Sequence, residues 1–187
     1  MNNAAQFVFG KIEDVSGADW TRVLNTNVMG YAFCIKAAVA HMKQRGGSIV
    51  NMSSISGHIA QAGFTPYSTS KGAIEQLSKC VALDYGESLI RSNTICPGAI
   101  STPATLLHAA KEGKTLQQLQ DDISAKLMLK RFGTCGDVAN CTVFLLSDES
   151  ACERARTLSL VLAHAAYGGC RYITGSSIKV DGGYLGV

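Results

Sequence analysis

The sequence predicts a doubly wound α/β fold around a parallel sheet, with the strand that should lead into residue 2 missing. Three observations carry that expectation. Short, mostly apolar runs at 48–52, 90–96 and 177–180 are rich in β-branched residues and read as buried strands. Long segments of helical periodicity separate them, which makes the crossovers long enough to force parallel pairing. The loops that follow the first two runs are punctuated by glycine and proline.

The elements follow in order. Asn2-Asn3-Ala4-Ala5 reads as a strand end running into a turn, with the strand before it missing. Ser16 and Asp19 form a capping-box-like start for a helix. Trp20, Val23, Leu24, Val28, Phe33 and Ile35 then recur at helical spacing to about Met42, and Gly46-Gly47 ends the helix. The run Ser48 to Met52 is the first strand. Thr65 is the expected N-cap of a second long helix with Pro66 at its first position, and Ile74, Leu77, Val81 and Tyr85 form its apolar stripe. Ile90 to Cys96 is a second strand, cut by Pro97-Gly98. Residues 104–130 read as one or two polar helices joined through Gly113, and Thr134 to Asp137 caps a helix from Val138 to Leu146. The last strand, Ser177 to Val180, is closed by Asp181-Gly182-Gly183.

Bulk properties narrow the function classes. A chain of 187 residues, 47% apolar and 17% charged, suits one domain with a real core. Seventeen basic against 14 acidic residues give a net charge of +3, too small and too scattered to argue for nucleic acid or a membrane surface. No apolar run reaches membrane-spanning length and no leader precedes the domain, so a cytoplasmic protein is expected. The seven cysteines are odd in number and widely spaced, and the four histidines do not cluster with them in sequence. Neither a metal site nor a disulfide framework is expected.

The chemistry concentrates between Ser54 and Lys71. Tyr67 and Lys71 are four apart on a helix, so they share a face with about 5–6 Å between Cβ atoms. Ser54, at the far end of the glycine-punctuated loop, can fold back toward them. A phenol, an ammonium and a hydroxyl would then converge where a carbonyl oxygen could bind. Asn27 lies inside the first helix, and Pro97 to Thr102 follows the second strand. Plainer readings stand beside these: Asn27 as a tolerated polar residue, Thr102-Pro103 as a simple turn, and His58 as a surface or substrate-lining residue without a carboxylate partner.

Together these residues resemble the short-chain dehydrogenase/reductase family, over about 1–150 and 172–187. The family's Ser, Tyr-x-x-x-Lys and helix Asn map onto Ser54, Tyr67, Lys71 and Asn27. Its Asn-Asn-Ala-Gly turn resembles Asn2 to Ala5, with Ala5 in place of glycine. Its Pro-Gly-x-x-x-Thr loop and closing Asp-Gly-Gly match Pro97 to Thr102 and Asp181 to Gly183. The resemblance implies a Rossmann-like fold, NAD or NADP as cofactor, and hydride transfer on a small-molecule alcohol/ketone pair. Tyr67 would exchange the hydroxyl proton, its pKa lowered by Lys71 and by the positive nicotinamide ring. Ser54 would bind the substrate oxygen, and Lys71 would also hold the nicotinamide ribose. Asn27 would hold a water that links Lys71 to solvent. Asn2, Pro97, Gly98, Ile100 and Thr102 complete the implied cofactor contacts. The helices of 104–130 would form a substrate lid. Homo-oligomers, dimer or tetramer, would pair through the helices near 17–44 and 66–88.

Two departures stand out. The chain has no glycine-rich pyrophosphate turn, so the adenosine half of the implied cofactor site is missing. Residues 151–171 are an insertion where the family has a short connection, either an inserted lid or a gene-model artefact. The expected domain is therefore one partial unit over 1–187. The alternative function is a catalytically inactive form that associates with full-length subunits through its two long helices.

Overall fold

The computed structural model describes residues 1–147 and 172–186. The insertion expected at 151–171 lies outside them. Three strands, β1 (Gly47–Met52), β2 (Ile90–Pro97) and β3 (Ser177–Val180), form a parallel sheet in the order β1-β2-β3. Gly47 faces Ile90 across the first pair, and Thr94 faces Ser177 across the second. The Asn2 backbone adds one isolated parallel bridge to Asn51.

Helices cover both faces of the sheet. The first helical segment comprises α1 (Gly17–Leu24), a π-helical stretch (Asn25–Met29) and α2 (Gly30–Met42). With α3 (Thr65–Asp84) it packs Ile35, Val39 and Val81 against Ile49 and Ile90. On the other face α6 (Cys135–Leu146) sets Leu145 against Val50, Met52 and Ile95. Ile49 and Val50 point to opposite faces, as the strand's period of two requires. Each such side chain, fully buried, contributes about 1.5–3 kcal/mol. Helices α4 (Pro103–Lys111) and α5 (Leu116–Ser124) stand over the ends of β1 and β2, joined through Gly113 at φ +65°.

The capping boxes at Ser16 and Thr134 are both formed, each with its N3 aspartate. The start of α3 differs from expectation. Phe64 is its N-cap, its carbonyl accepting from Ser68 N at 2.8 Å, and Thr65 and Pro66 fall inside the first turn. The first long helix is not regular either. Gly30 N donates to Asn25 O, five residues back, which is the π-helical bond. Counted as one helix, Gly17–Met42 has the length and apolar content of a membrane-crossing segment, contrary to the sequence reading. Its buried Val23, Tyr31, Ile35 and Val39 are core positions of this domain, a pattern that passes the same test.

Candidate active site

The C-terminal ends of β1 and β2 open into a cleft of about 1210 Å³. Ser54, Tyr67, Lys71, Pro97, Gly98, Ile100 and Thr102 line it. These seven predicted residues are brought together, while Asn2 and Asn27 are not among the lining residues. Asn2 is committed to β1: its N–H donates to Val50 O, its carbonyl accepts from Met52 N, and its side chain donates to Asn51 Oδ1 at 2.7 Å. Its neighbour Asn3 lines the cleft instead. Asn27 is fully buried in the π-helical turn. Its Oδ1 accepts from Gln6 N at 2.7 Å, and its Nδ2 donates to Gln6 O at 3.1 Å and Ser70 Oγ at 2.9 Å. The amide thus clamps the backbone of the strand-end segment to α3.

Tyr67 and Lys71 project from α3 into the cleft, both buried. Lys71 Nζ donates to Met52 O at 2.8 Å and lies 5.4 Å from the Tyr67 ring centre. Burial pulls the Lys71 ammonium down to about 8. Burial also pushes the Tyr67 phenol up to about 12, against a lowering by Ser54. The phenol pKa expected to fall beside Lys71 is therefore raised in this chain, because desolvation of the phenolate outweighs its partners. Ser54 Oγ donates to Ser56 Oγ at 3.2 Å and accepts from Ser56 N at 3.1 Å.

The loop after β2 is held by close backbone approach. A Cβ on Gly98 would lie 2.8 Å from Asp181 Cα, so the Asp181-Gly182-Gly183 turn fits only against glycine there. Thr102 caps α4 with Thr105, and Thr105 Oγ1 also holds Ile100 O at 2.8 Å. Thr102 is thus a helix cap as well as a cleft residue.

Several site residues escaped sequence reasoning. Phe7 stacks on Tyr67 with ring centres 4.3 Å apart, and Phe9 and Phe64 extend this aromatic wall to His108. The Phe7-Val8-Phe9 alternation was the available signal. Tyr31 is buried and donates to Met52 O at 3.3 Å, the carbonyl that Lys71 also uses. Burial raises its phenol strongly. His58 does have a carboxylate partner, in correction of the sequence reading: its Nε2 lies 3.2 Å from Glu75 Oε2.

Helices on both faces of a parallel sheet, with a buried tyrosine-lysine pair at the strands' C-terminal ends, define a doubly wound α/β chain with its cleft at the usual ligand-binding edge. Comparison makes the family explicit. A family profile described as enoyl-(acyl carrier protein) reductase matches residues 1–160. The chain is 36% identical to dehydrogenase/reductase SDR family member 6 of Xenopus laevis, across 97% of this chain and 67% of that protein. It is 32% identical to 2-(S)-hydroxypropyl-CoM dehydrogenase 3 of Xanthobacter autotrophicus, across 100% of this chain and 66% of that protein. Among solved structures, the ligand-free aldohexose dehydrogenase of Thermoplasma acidophilum superposes with a TM-score of 0.83 at 29% identity, covering 99% of this chain and 66% of that one. ElxO with NADP bound superposes at 0.80 with 28% identity, covering 100% and 66%. The chain belongs to the short-chain dehydrogenase/reductase family. It spans 57% to 66% of the length of the hydroxypropyl-CoM and meso-2,3-butanediol dehydrogenases it matches.

Proposed function

We propose that this chain carries the proton-handling half of an NAD(P)-dependent oxidoreductase acting on a small-molecule alcohol/ketone pair. The observation that carries the reading is the meeting of Tyr67, Lys71 and Ser54 at one cleft beside the Pro97 to Thr102 loop. The NADP bound to ElxO and the dehydrogenase names of the relatives support it. The residues present fit the nicotinamide end of such a cofactor: Lys71 has two N–H groups beyond its bond to Met52 O for ribose hydroxyls, and the loop after β2 presents its backbone. They do not supply a glycine-rich turn for the pyrophosphate.

A nicotinamide held by Lys71 and the Pro97 to Thr102 backbone would supply hydride acceptance from the carbinol carbon. Tyr67 takes the hydroxyl proton in the same direction and returns it in the reverse one. Its phenolate is reached at working pH only when a cation adds to Lys71, since burial alone holds the phenol up at about 12. Ser54 donates to the substrate oxygen, and Phe7 and Phe64 exclude water around the phenol. Asn27 serves the site from behind, its amide holding the Gln6 backbone and Ser70 so that Phe7 stays against Tyr67. Free cysteines at Cys34, Cys80 and Cys135 are exposed and suit a reducing, cytoplasmic compartment. Phe33 on α2 and Leu83 on α3 are exposed and suit pairing of the two long helices between copies.

The test is secondary-alcohol oxidation with NAD⁺ and NADP⁺ at about 1–10 mM, a range chosen for a weakly held cofactor. Replacement of Tyr67 by Phe should cut turnover at least about 100-fold, the usual contribution of a positioned acid/base. No turnover by the wild-type chain, or turnover unchanged in Y67F, overturns the reading.

A further inference from the structure

Beneath the helix face that carries Tyr67 and Lys71, a second group of side chains meets. Glu75 is buried one helical turn beyond Lys71, with 7% of its surface exposed. Its Oε2 lies 3.2 Å from His58 Nε2 and its Oε1 lies 3.8 Å from Cys96 Sγ. One nitrogen, one oxygen and one sulfur donor thus fall within 4.8 Å of one another. They come from three separate places in the fold: the loop after β1, helix α3 and strand β2.

The cluster is held from behind and open in front. Ser53 Oγ donates to Glu75 Oε1 at 3.0 Å and Ser177 Oγ donates to Oε2 at 2.9 Å, so two hydroxyls from the sheet orient the carboxylate. Gly57 lets the His58 loop press onto α3. A Cβ at Gly57 would lie 2.5 Å from Glu75 Oε1 and 3.1 Å from backbone atoms of Lys71 and Gly72. Cys96 and Glu75 are buried while His58 is exposed, so the imidazole forms the solvent side of the cluster. The charge is uneven as well. Among the described residues the ion-pair partner of Glu75 is His58, which is charged only when protonated. A buried carboxylate is costly unless paired with a cation or bound to a metal.

We propose that His58, Glu75 and Cys96 form a three-ligand site for a zinc-class divalent transition-metal ion. Imidazole, carboxylate and thiolate are the donor set of tetrahedral zinc, whereas magnesium and calcium take oxygen alone. Three protein ligands leave the fourth position to water. On binding, the Cys96 thiol gives its proton to solvent and its sulfur bonds the ion. Ser53 and Ser177 keep their hydrogen bonds to the carboxylate and fix its orientation. Sequence spacing hid the cluster because its members are far apart in the chain and none repeats a metal-ligand spacing.

The experiment is a Co²⁺ titration of the metal-free full chain, followed by absorbance. One equivalent should raise the visible bands of four-coordinate Co²⁺ and a near-ultraviolet thiolate-to-metal band, both removed by Zn²⁺. Cys96→Ser should abolish the thiolate band, and His58→Ala should weaken Co²⁺ binding at least about tenfold. The variant C34S/C80S/C135S/C141S/C152S/C170S, which keeps Cys96 alone, should retain both bands. Bands that survive Cys96→Ser and vanish in that six-fold variant mean binding at the other thiols and overturn the proposal. So does a folded wild-type chain that leaves Co²⁺ in its pale octahedral aquo form. His58 is on an exposed loop, so its variant decides the matter even if Cys96→Ser fails to fold. None of these readouts involves hydride transfer, so the metal site and the oxidoreductase reading stand or fall separately.

Discussion

Lys71 and Tyr67 oppose one another in the pH dependence of stability. The Lys71 pKa falls from 10.5 to about 8 on folding. Below pH 8 both folded and unfolded chains hold that proton and the folded chain carries the full cost of a buried ammonium. Between pH 8 and 10.5 the unfolded chain binds more protons, so stability rises with pH. Tyr67 moves the other way, from 10.0 to about 12. Its contribution is complete below pH 10 and is lost as pH climbs toward 12. Chemical denaturation from pH 7 to 9 should therefore show stability rising by about 1 kcal/mol, while above pH 9 the buried Cys96 thiol, pushed up from 9.0 to about 12, offsets the rise. Lys71→Met should flatten that rise. An equal rise in the variant would remove Lys71 as its source. The positions of these two residues were legible in sequence because a spacing of four on a helix fixes their geometry. The direction of the Tyr67 shift was not, since burial depends on Phe7, Phe64 and the sheet end, which close over the phenol only in three dimensions. Tyr31 was hidden for the same reason. Nothing in its neighbourhood in the chain reveals that it shares the Met52 carbonyl with Lys71.

The helical segment before β1 shows what an element adds. Periodicity announced a helix over this stretch, and the Ser16 capping box fixed its start. The π-helical turn at Asn25–Met29 has no compositional signature and was read as ordinary helix. That turn carries the buried Asn27 amide, which satisfies both backbone groups of Gln6. The next residue is Phe7, the aromatic stacked on Tyr67. The turn therefore positions one wall of the cleft through Gln6. Asn27→Ala would leave the Gln6 N–H and carbonyl without that partner, at a cost of about 1–3 kcal/mol. The denaturation midpoint should fall and the Gln6 amide should exchange faster. A wild-type midpoint with unchanged Gln6 exchange would mean that the segment is anchored elsewhere. The start of α6 was easier to read, because Thr134 announces it by its capping box with Asp137, whereas the caps of α4 and α5 at Thr102 and Thr115 went unread.

For the molecule as a whole, the sheet decides what can be bound. β1 is paired along its length with β2 on one side, while among the described residues only the Asn2 bridge meets its other side. Parallel pairing was legible because β-branched runs alternate with long helices, while the strand order came from the structure. The sequence also shows no glycine-rich turn, and the structure adds a reason why no other helix start among the described residues replaces it. Anions bind best at helix N-termini with free N–H groups. Here the N-termini of α1 and α6 are closed by their own Asp19 and Asp137. Those of α4 and α5 are closed by Thr105 and Gln118. Helix α3 opens with Pro66, which lacks an N–H. Among the described residues a dinucleotide would thus meet the cleft at Tyr67 and Lys71 without a helix N-terminus free to cradle its pyrophosphate. Titration of this chain with NADH and with NADPH, by calorimetry or nicotinamide fluorescence, should give a Kd of about 1 mM or weaker for both. Micromolar affinity for either would show that the cleft between Tyr67, Lys71 and the Pro97 to Thr102 loop holds the cofactor without a pyrophosphate turn, and the division of labour argued above would have to be abandoned.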